Sequence, residues 1–308
     1  MRPSPIYPRR VLAIGEVLWD VFADCHRLGG APLNFGAHAR RMQHETLVIS
    51  ALGEDELGRS ARAAMGTLGL DTRFVRSTTQ LPTGTASVQL GPGGQTSFRI
   101  ARPAAYDTVE LSGDDLQFLT AWNPGWLYYG TLFAFAPRPR KALAQLMETL
   151  RSARRFYDVN LRPDCYAPLL VCELLEKADV VKMNESELEV IRKLCDLPTS
   201  TIEASCREGV AHFGWQAVCV TLGELGCAVF ADGQYEEADG FPVKVADPVG
   251  AGDAFAAAFL HGLTQGWPPS EIAAFSNRVG AIVASRPGGI PDWSMDEVLS
   301  MTRSETQA

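Results

Sequence analysis

The stretch Asp247-Pro248-Val249-Gly250-Ala251-Gly252-Asp253-Ala254-Phe255 combines small residues with a carboxylate at the mouth of an apolar helix. Gly250, Ala251 and Gly252 are small enough for their backbone N–H groups to converge on an anion, and a helix opening at Asp253 adds the positive end of its macrodipole. A fixed carboxylate repels bound phosphate, so a loop built only to bind it has no use for Asp253. That residue fits a general base, taking the proton of a hydroxyl as the hydroxyl attacks phosphorus. The competing reading is a tight turn whose aspartate caps the helix, and the residues alone leave both open. Two nucleotide motifs are excluded: Gly250-x-Gly252 lacks the third glycine of a dinucleotide fingerprint, and no G-x-x-x-x-G-K-[ST] occurs.

Four further constellations bear polar groups at the ends of apolar runs. Asp20 closes Gly15-Glu16-Val17-Leu18-Trp19-Asp20, which places a carboxylate after the first strand, at the sheet edge where open α/β folds bind ligands. Gly29-Gly30-Ala31-Pro32-Leu33-Asn34 offers two glycines that allow close approach and an amide that both donates and accepts, which suits a polyol; Asn34 is otherwise a helix N-cap. Asp158-Val159-Asn160-Leu161-Arg162-Pro163 ends a strand in polar groups, with a structural Asp158–Arg162 pair as the alternative to ligand contact. In Lys182-Met183-Asn184-Glu185-Ser186-Glu187, the i,i+3 spacing puts Asn184 and Glu187 on one helix face, and a capping box reads the same way.

Positioning these groups requires a scaffold, and the hydrophobic pattern predicts one. Strands near 11–17, 46–51, 126–129, 156–159 and 180–183 alternate with helices near 34–42, 54–68, 139–153, 169–177 and 185–194. Repeated β-then-α units predict a mostly parallel sheet covered on both faces. Turn residues then place strands near 217–220 and 227–230, and helices near 254–265 and 270–285 close the core. One interval breaks the rhythm: 84–90 and 95–100 are β-rich runs joined by Gly91-Pro92-Gly93-Gly94, a hairpin that, with 22–33, predicts a small projecting sheet.

D-P-V-G-A-G-D-A-F resembles the signature of the ribokinase family, the PfkB-type carbohydrate kinases, usually D-T-x-G-A-G-D. Further family-like motifs follow in order between residues 11 and 292. The resemblance implies an α/β ribokinase-like fold, with a mostly parallel central sheet flanked by helices on both faces and a small β-sheet lid, here one domain over 1–308 with lid segments 21–34 and 83–102. It implies phosphoryl transfer from ATP with Mg2+ to a sugar. Asp253 and the Gly250, Ala251 and Gly252 amides would be catalytic. The sugar would lie among Asp20, Gly29, Gly30, Asn34, Arg99, Asn160, Arg162 and Asp253, and the nucleotide along Asn184, Thr221, Gly223, Gly226, Gly252 and Asn277. Thr221-Leu222-Gly223-Glu224-Leu225-Gly226 matches the family's T-x-G-x-x-G nucleotide loop, Asn277 falls where the adenine edge is contacted, and Glu187 would order water around magnesium.

The resemblance also implies a potassium-type ion held mainly by backbone oxygens of Asp247, Val249, Val283, Arg286, Gly288 and Asp292, and a homodimer formed through the lid. Pro248 in place of the usual threonine removes a hydroxyl and an N–H beside that cation loop, and the connection from Asp20 to Gly29 is short. The form G-G-A-P-x-N and the segment around Phe98-Arg99 and Arg102-Pro103-Ala104-Ala105-Tyr106-Asp107 most resemble the fructokinase branch. The alternatives are 2-keto-3-deoxygluconate kinase, ribokinase, or a non-catalytic sugar-binding regulator.

Composition sets outer bounds. A formal charge of −8, a pI near 5.2 and no basic run longer than Arg9-Arg10 or Arg154-Arg155 argue against a nucleic-acid face or an anionic-membrane anchor. Seven cysteines, odd in number and without a C-x-x-C pair, predict reduced thiols rather than a disulfide framework or zinc site. No signal-peptide pattern and no run of about 18 apolar residues is present, and the expected location is the cytoplasm.

Overall fold

A nine-stranded sheet carries the site on one edge, and a four-stranded sheet stands beside it. In chain order the strands are β1 (Arg10–Ile14), β2 (Leu18–Val21), β3 (His26–Gly29), β4 (Glu45–Gly53), β5 (Val75–Thr78), β6 (Gly84–Leu90), β7 (Thr96–Ile100), β8 (Trp126–Gly130), β9 (Arg154–Asp158), β10 (Val180–Asn184), β11 (Ala217–Thr221), β12 (Gly226–Ala231) and β13 (Gln234–Asp239). The computed structural model describes residues 9–22, 25–90, 96–198 and 200–302. The large sheet runs β13-β12-β11-β10-β9-β8-β1-β4-β5 and the small one β3-β2-β6-β7. From β5 to β11 every neighbouring pair is parallel; β12 and β13 add an antiparallel hairpin at one edge.

Parallel strands covered on both faces read as continuous apolar runs, and period-two alternation then divides each strand between two cores. Leu12, Ile14, Leu127, Tyr129, Tyr157, Val181 and Met183 join the core on one face; Val11, Ala13, Trp126, Tyr128, Phe156 and Val180 join the other. The second core is closed by the helices Ala31–Arg41, Ala251–Gln265 and Pro269–Ala284, whose buried residues include Phe35, Phe259 and Val279. Fully burying a side chain such as Phe156 or Phe259 contributes about 1.5–3 kcal/mol. The buried indole N–H of Trp126 is satisfied by Thr264 Oγ1 at 2.9 Å.

The structure departs from the sequence pattern where the chain changes sheets. The apolar run expected as one strand over 11–17 ends at Ile14, and β2 begins at Leu18 in the small sheet, so Asp20 lies within a strand rather than in a loop after it. In the first segment of the small sheet, β2 and β3 span 18–29, while residues 31–34 are helical. The helix expected from 34 starts at Ala31 because Pro32 preorganises its first turn and Gly30 adopts φ 110°, where a Cβ would fall 2.3 Å from the Glu16 carbonyl oxygen. The helix expected from 254 starts at Ala251. The glycine-rich turn at 91–94 lies outside the described residues.

Candidate active site

The helix Ala251–Gln265 opens from Gly250, which holds a left-handed φ of 78°. Gly250 also lies against the loop 286–292: a Cβ there would sit 2.4 Å from the Gly289 Cα. Ala251 N donates to Pro248 O at 3.3 Å, a long bond, and the N–H groups that follow it in the first turn have no acceptors within the helix, so the loop presents donors together with the positive helix end. The helix cap is Gly250, not Asp253, which disposes of the capping reading. Asp253 instead accepts a hydrogen bond at Oδ2 from Asn34 Nδ2 at 2.8 Å. Burial and the nearby Asp158 carboxylate push Asp253 up to about 6, opposed by the Asn34 hydrogen bond and the charges of Lys182 and Arg162. A base poised there is ionised at neutral pH yet basic enough to share a proton.

Asn34 is within the first helical turn, its own N–H donating to Gly30 O at 2.9 Å, so it is not the N-cap either. Its side chain is committed on one side to Asp253. Its carbonyl Oδ1 is buried with no hydrogen-bond partner among the described residues, a condition that costs free energy unless a ligand donates. Beside it, Asp20 is buried on β2, with its carboxylate over Gly29: a Cβ on Gly29 would fall 2.6 Å from Asp20 Oδ2. Burial, then the Asp253 charge, push Asp20 up to about 7. A third carboxylate, Glu16, was not singled out from sequence; it is buried, accepts from Ala31 N at 3.3 Å, and is pushed up to about 7, chiefly by burial. Arg162 acts electrostatically on all three of Glu16, Asp20 and Asp253. Asn160, at a positive φ of 37°, begins the turn that leads to Arg162. Arg99 is exposed on β7 of the small sheet.

Beneath the glycine loop lies a buried ion pair. Lys182 Nζ donates to Asp158 Oδ1 and Oδ2 at 3.1 and 3.3 Å, and Tyr128 Oη donates to Asp158 Oδ2 at 3.0 Å. Asp158 is therefore the partner of Lys182 and Tyr128, a partnership the expected Asp158–Arg162 pair did not include. A Cβ on Gly252 would sit 3.4 Å from Lys182 Nζ, which puts the ammonium directly under the anion loop. Burial alone would lower Lys182, but Asp158, Glu187 and Asp253 together hold it above its ordinary value. Asn184 and Glu187 do form the capping box: Asn184 Oδ1 accepts from Glu187 N and Glu187 Oε2 from Asn184 N, both at 2.9 Å, while Glu187 Oε1 accepts from Leu161 N at 2.9 Å. Glu187 is buried and raised, mainly by that burial, while Asn184 is exposed.

On the other side of the loop is a cavity of about 810 Å³ whose lining includes Thr221, Gly223, Gly226, Gly252, Phe255 and Asn277. Leu225 and Val245, 71% and 57% exposed, are apolar residues along its wall. Gly223 and Gly226 take φ of 63° and 111° in the connection between β11 and β12, and Thr221 Oγ1 donates to Met183 O at 3.5 Å. Asn277 Nδ2 donates to Ala238 O and Asp239 O at 3.0 and 3.2 Å, bracing the end of β13 against this cavity.

The loop residues expected to hold a monovalent cation are drawn together by protein donors. Asp247 Oδ1 accepts from Val249 N at 3.0 Å; Oδ2 accepts from Gly288 N at 3.0 Å and from the Arg27 guanidinium. Val283 O accepts from Arg286 N at 3.1 Å, and Asp292 O from the Arg286 guanidinium. Behind the loop, His38 is fully buried. The Trp293 indole, a donor only, reaches His38 Nδ1 at 3.1 Å, which leaves Nε2–H to donate to Gly289 O at 2.9 Å. Burial lowers His38 to about 4, so this neutral tautomer persists at physiological pH. Among the described residues, no cluster of three or more His, Cys, Asp or Glu could hold a metal, and no helix is long and apolar enough to cross a membrane.

Comparison with known proteins joins these observations. The pfkB family carbohydrate kinase model matches residues 11–295. A fructokinase from Salmonella typhimurium is 30% identical over 278 residues, covering 86% of this chain and 88% of the relative. The fructokinase of Xylella fastidiosa with bound ATP superposes with a TM-score of 0.79 at 21% identity, over 95% of this chain and 97% of that one. A fructokinase double mutant from Vibrio cholerae O395, in fructose, ADP and potassium ion bound form, gives a TM-score of 0.81 at 24% identity, over 96% and 98% of the two chains. The chain, with its ribokinase-like fold, belongs to the pfkB family of carbohydrate kinases and is an ATP-dependent carbohydrate kinase.

Proposed function

We propose that this kinase phosphorylates a neutral sugar, with fructose the first choice, using Mg-ATP. The observation that carries the reading is the Asn34 amide: its donor side is fixed on Asp253 Oδ2 and its buried carbonyl waits for a donor, as a sugar hydroxyl would supply. Three carboxylates, Glu16, Asp20 and Asp253, crowd the same end, where an acidic substrate would add a fourth negative group. The likeness to fructokinases of plants and bacteria supports fructose within that class. The second reading is an acidic keto-sugar, favoured by Arg162, whose charge acts on all three carboxylates.

In this reading a sugar hydroxyl lies against Asp253 and loses its proton to it as it attacks the γ-phosphorus. The Gly250–Gly252 amides, the helix end and Lys182 below them offset the charge on the transferring group, an effect of about 3 kcal/mol per well-placed donor. Asp20 and the Asn34 carbonyl orient the remaining hydroxyls. The nucleotide base occupies the cavity beside Leu225, Val245 and Asn277, with its phosphates toward Gly252 and Asn184. Magnesium bound with the nucleotide would supply positive charge to neutralise the phosphates. Glu187 suits contact through water rather than direct ligation, because both its oxygens already accept backbone N–H groups. The small sheet excludes water that would compete as acceptor.

The reading includes a single domain over 1–308, a cytoplasmic location, consistent with seven free cysteines, and a homodimer through the small sheet. In the sequence, Val88 and Leu90 alternate with polar Ser87 and Gln89, a pattern that gives this strand one apolar face for a second subunit to cover, although the side chains of Val88 and Leu90 lie outside the described residues; sedimentation at micromolar concentration tests the dimer, and a strictly monomeric profile counts against it. The central test is a coupled ADP-release screen with Mg-ATP across fructose, ribose, tagatose, 2-keto-3-deoxygluconate and nucleosides. Fructose giving the highest kcat/KM supports the reading; the acidic sugar doing so replaces it; no turnover with any acceptor leaves a sugar-binding regulator.

A further inference from the structure

We infer that the Arg27 guanidinium is the resident cation of the anion loop, a positioning residue that takes the place of a monovalent ion at Asp247. Asp247 is 6% exposed, and a buried carboxylate needs a compensating charge. Its two oxygens gather three separate pieces of chain: Val249 N on its own loop, Gly288 N on the loop 286–292, and Arg27 from β3 of the small sheet. The guanidinium is itself held. Its Cζ lies 4.8 Å from the centre of the Phe22 ring, and Arg27 stands opposite Asp20 in the β2–β3 register. A planar, permanently charged fork can satisfy a carboxylate without the full dehydration that a bare ion requires.

The other oxygens of the expected cation shell point the same way. Val283 O and Asp292 O accept from Arg286, and the Asp292 carboxylate accepts from Arg41 Nη2 at 2.9 Å. Arg41 Nη1 also donates to Pro291 O at 2.7 Å. These donors take up lone pairs that a potassium ion would use, and three guanidinium groups around the two loops repel a further cation. The groups present therefore do not fit a potassium site at the Asp247 carboxylate. Pro248 stiffens the same loop from within by fixing φ. Arg27 thus couples the small sheet to the loop that binds phosphate, a link that an ion diffusing from solvent would not provide.

The inference rests on the kinase reading for its nucleotide arm, and the test separates the two. Wild type, Arg27→Met and Arg27→Lys are compared in potassium chloride and tetramethylammonium chloride at equal ionic strength. The readouts are the thermal midpoint without nucleotide and the Kd for ADP by calorimetry. Wild type and Arg27→Lys are expected to give the same midpoint and the same Kd in both salts. Arg27→Met is expected to melt about 2–4 °C higher in potassium than in tetramethylammonium, because only the variant leaves Asp247 open to an ion. Its ADP affinity should fall roughly tenfold in tetramethylammonium, the order of losing one charge-assisted hydrogen bond, and recover in potassium. A merely structural arginine would weaken the variant equally in both salts, and that result overturns the inference. So does a wild-type protein whose midpoint or ADP affinity improves in potassium, a comparison that stands even if Arg27→Met does not fold. Failure of ADP to bind in every salt would overturn the kinase reading, and the nucleotide-free midpoints would still decide this one.

Discussion

The two ends of the cleft are built by opposite means. At the end proposed for the sugar, charged and amide side chains from distant segments (Glu16, Asp20, Asn34, Arg162, Asp253) crowd together, and burial raises all three carboxylates. At the end proposed for the nucleotide, the cavity is lined mainly by glycines and apolar residues, with Thr221, Glu224 and Asp239 among them, and the one amide of its lining, Asn277, is spent on two backbone carbonyls. In the proposed function one end would specify its ligand through side-chain functional groups whose ionisation is tuned. The other would rely mainly on shape and backbone donors. Gly250–Asp253 is the seam, with backbone facing one side and a carboxylate the other.

The largest break in this contrast should come from Asp253→Asn, which is expected to lower kcat by roughly 10²–10⁴-fold, the span of losing a positioned general base. Its ADP affinity by calorimetry should stay within about twofold of wild type, since backbone groups carry that end. A variant that keeps wild-type kcat would remove Asp253 from the chemistry.

Next in size is Gly250→Ala. A Cβ must meet the Gly289 backbone at 2.4 Å in a left-handed conformation, so the loop must shift. The expected loss is roughly 10²-fold in kcat, comparable to losing one anion-hole donor, with sugar affinity preserved. Equal weakening of sugar and nucleotide binding would show that the seam does not separate the ends.

Asn34→Ala should raise the sugar KM about tenfold, the loss of one to two hydrogen bonds, and leave the ATP KM alone. It carries a second readout in pH. Asp253 must be ionised to accept a proton, so wild-type kcat/KM should fall as pH drops through about 6. The Asn34 hydrogen bond favours the ionised form, so its removal should move that acid limb upward. An unchanged limb with a raised KM would confine Asn34 to binding.

The smallest effect is expected from Asn277→Ala, about a threefold rise in the KM for ATP without change in that for sugar, the order of one weakened hydrogen bond. A loss above a hundredfold would mean that a side chain, not the backbone wall it braces, reads the base.

Legibility in the sequence followed the same division. Asn34 and Asp253 stand out because each is a polar residue close to glycines at the edge of an apolar run, and Asp20 because it interrupts the apolar stretch Val17–Phe22. The parallel sheet was readable from its apolar runs. The change of sheet between Ile14 and Leu18 was not, because both strands are apolar and the brief Gly15-Glu16 interruption at the bend reads equally well as part of one strand. The alternative of Asn34 as a helix cap was one that Pro32 already argued against, since proline favours the first helical turn. Lys182 and Asp158 are cross-strand partners on β9 and β10, so knowing that register would have paired them. Arg27 and Asp247 lie 220 residues apart, on a strand and a loop that no local pattern relates. Glu187 shows a further limit: capping box and water-mediated metal contact use the same residues, so the motif is compatible with both.

The contact between Gly250 and Gly289 has a consequence for how this enzyme can change over generations. Where two side chains meet, a larger residue on one can be answered by a smaller one on the other, and an interface can drift in single steps. Here backbone meets backbone, and neither partner has anything left to trim. A side chain added at Gly250 meets backbone rather than a side chain that could shrink, so single substitutions at this junction are expected to be poorly tolerated.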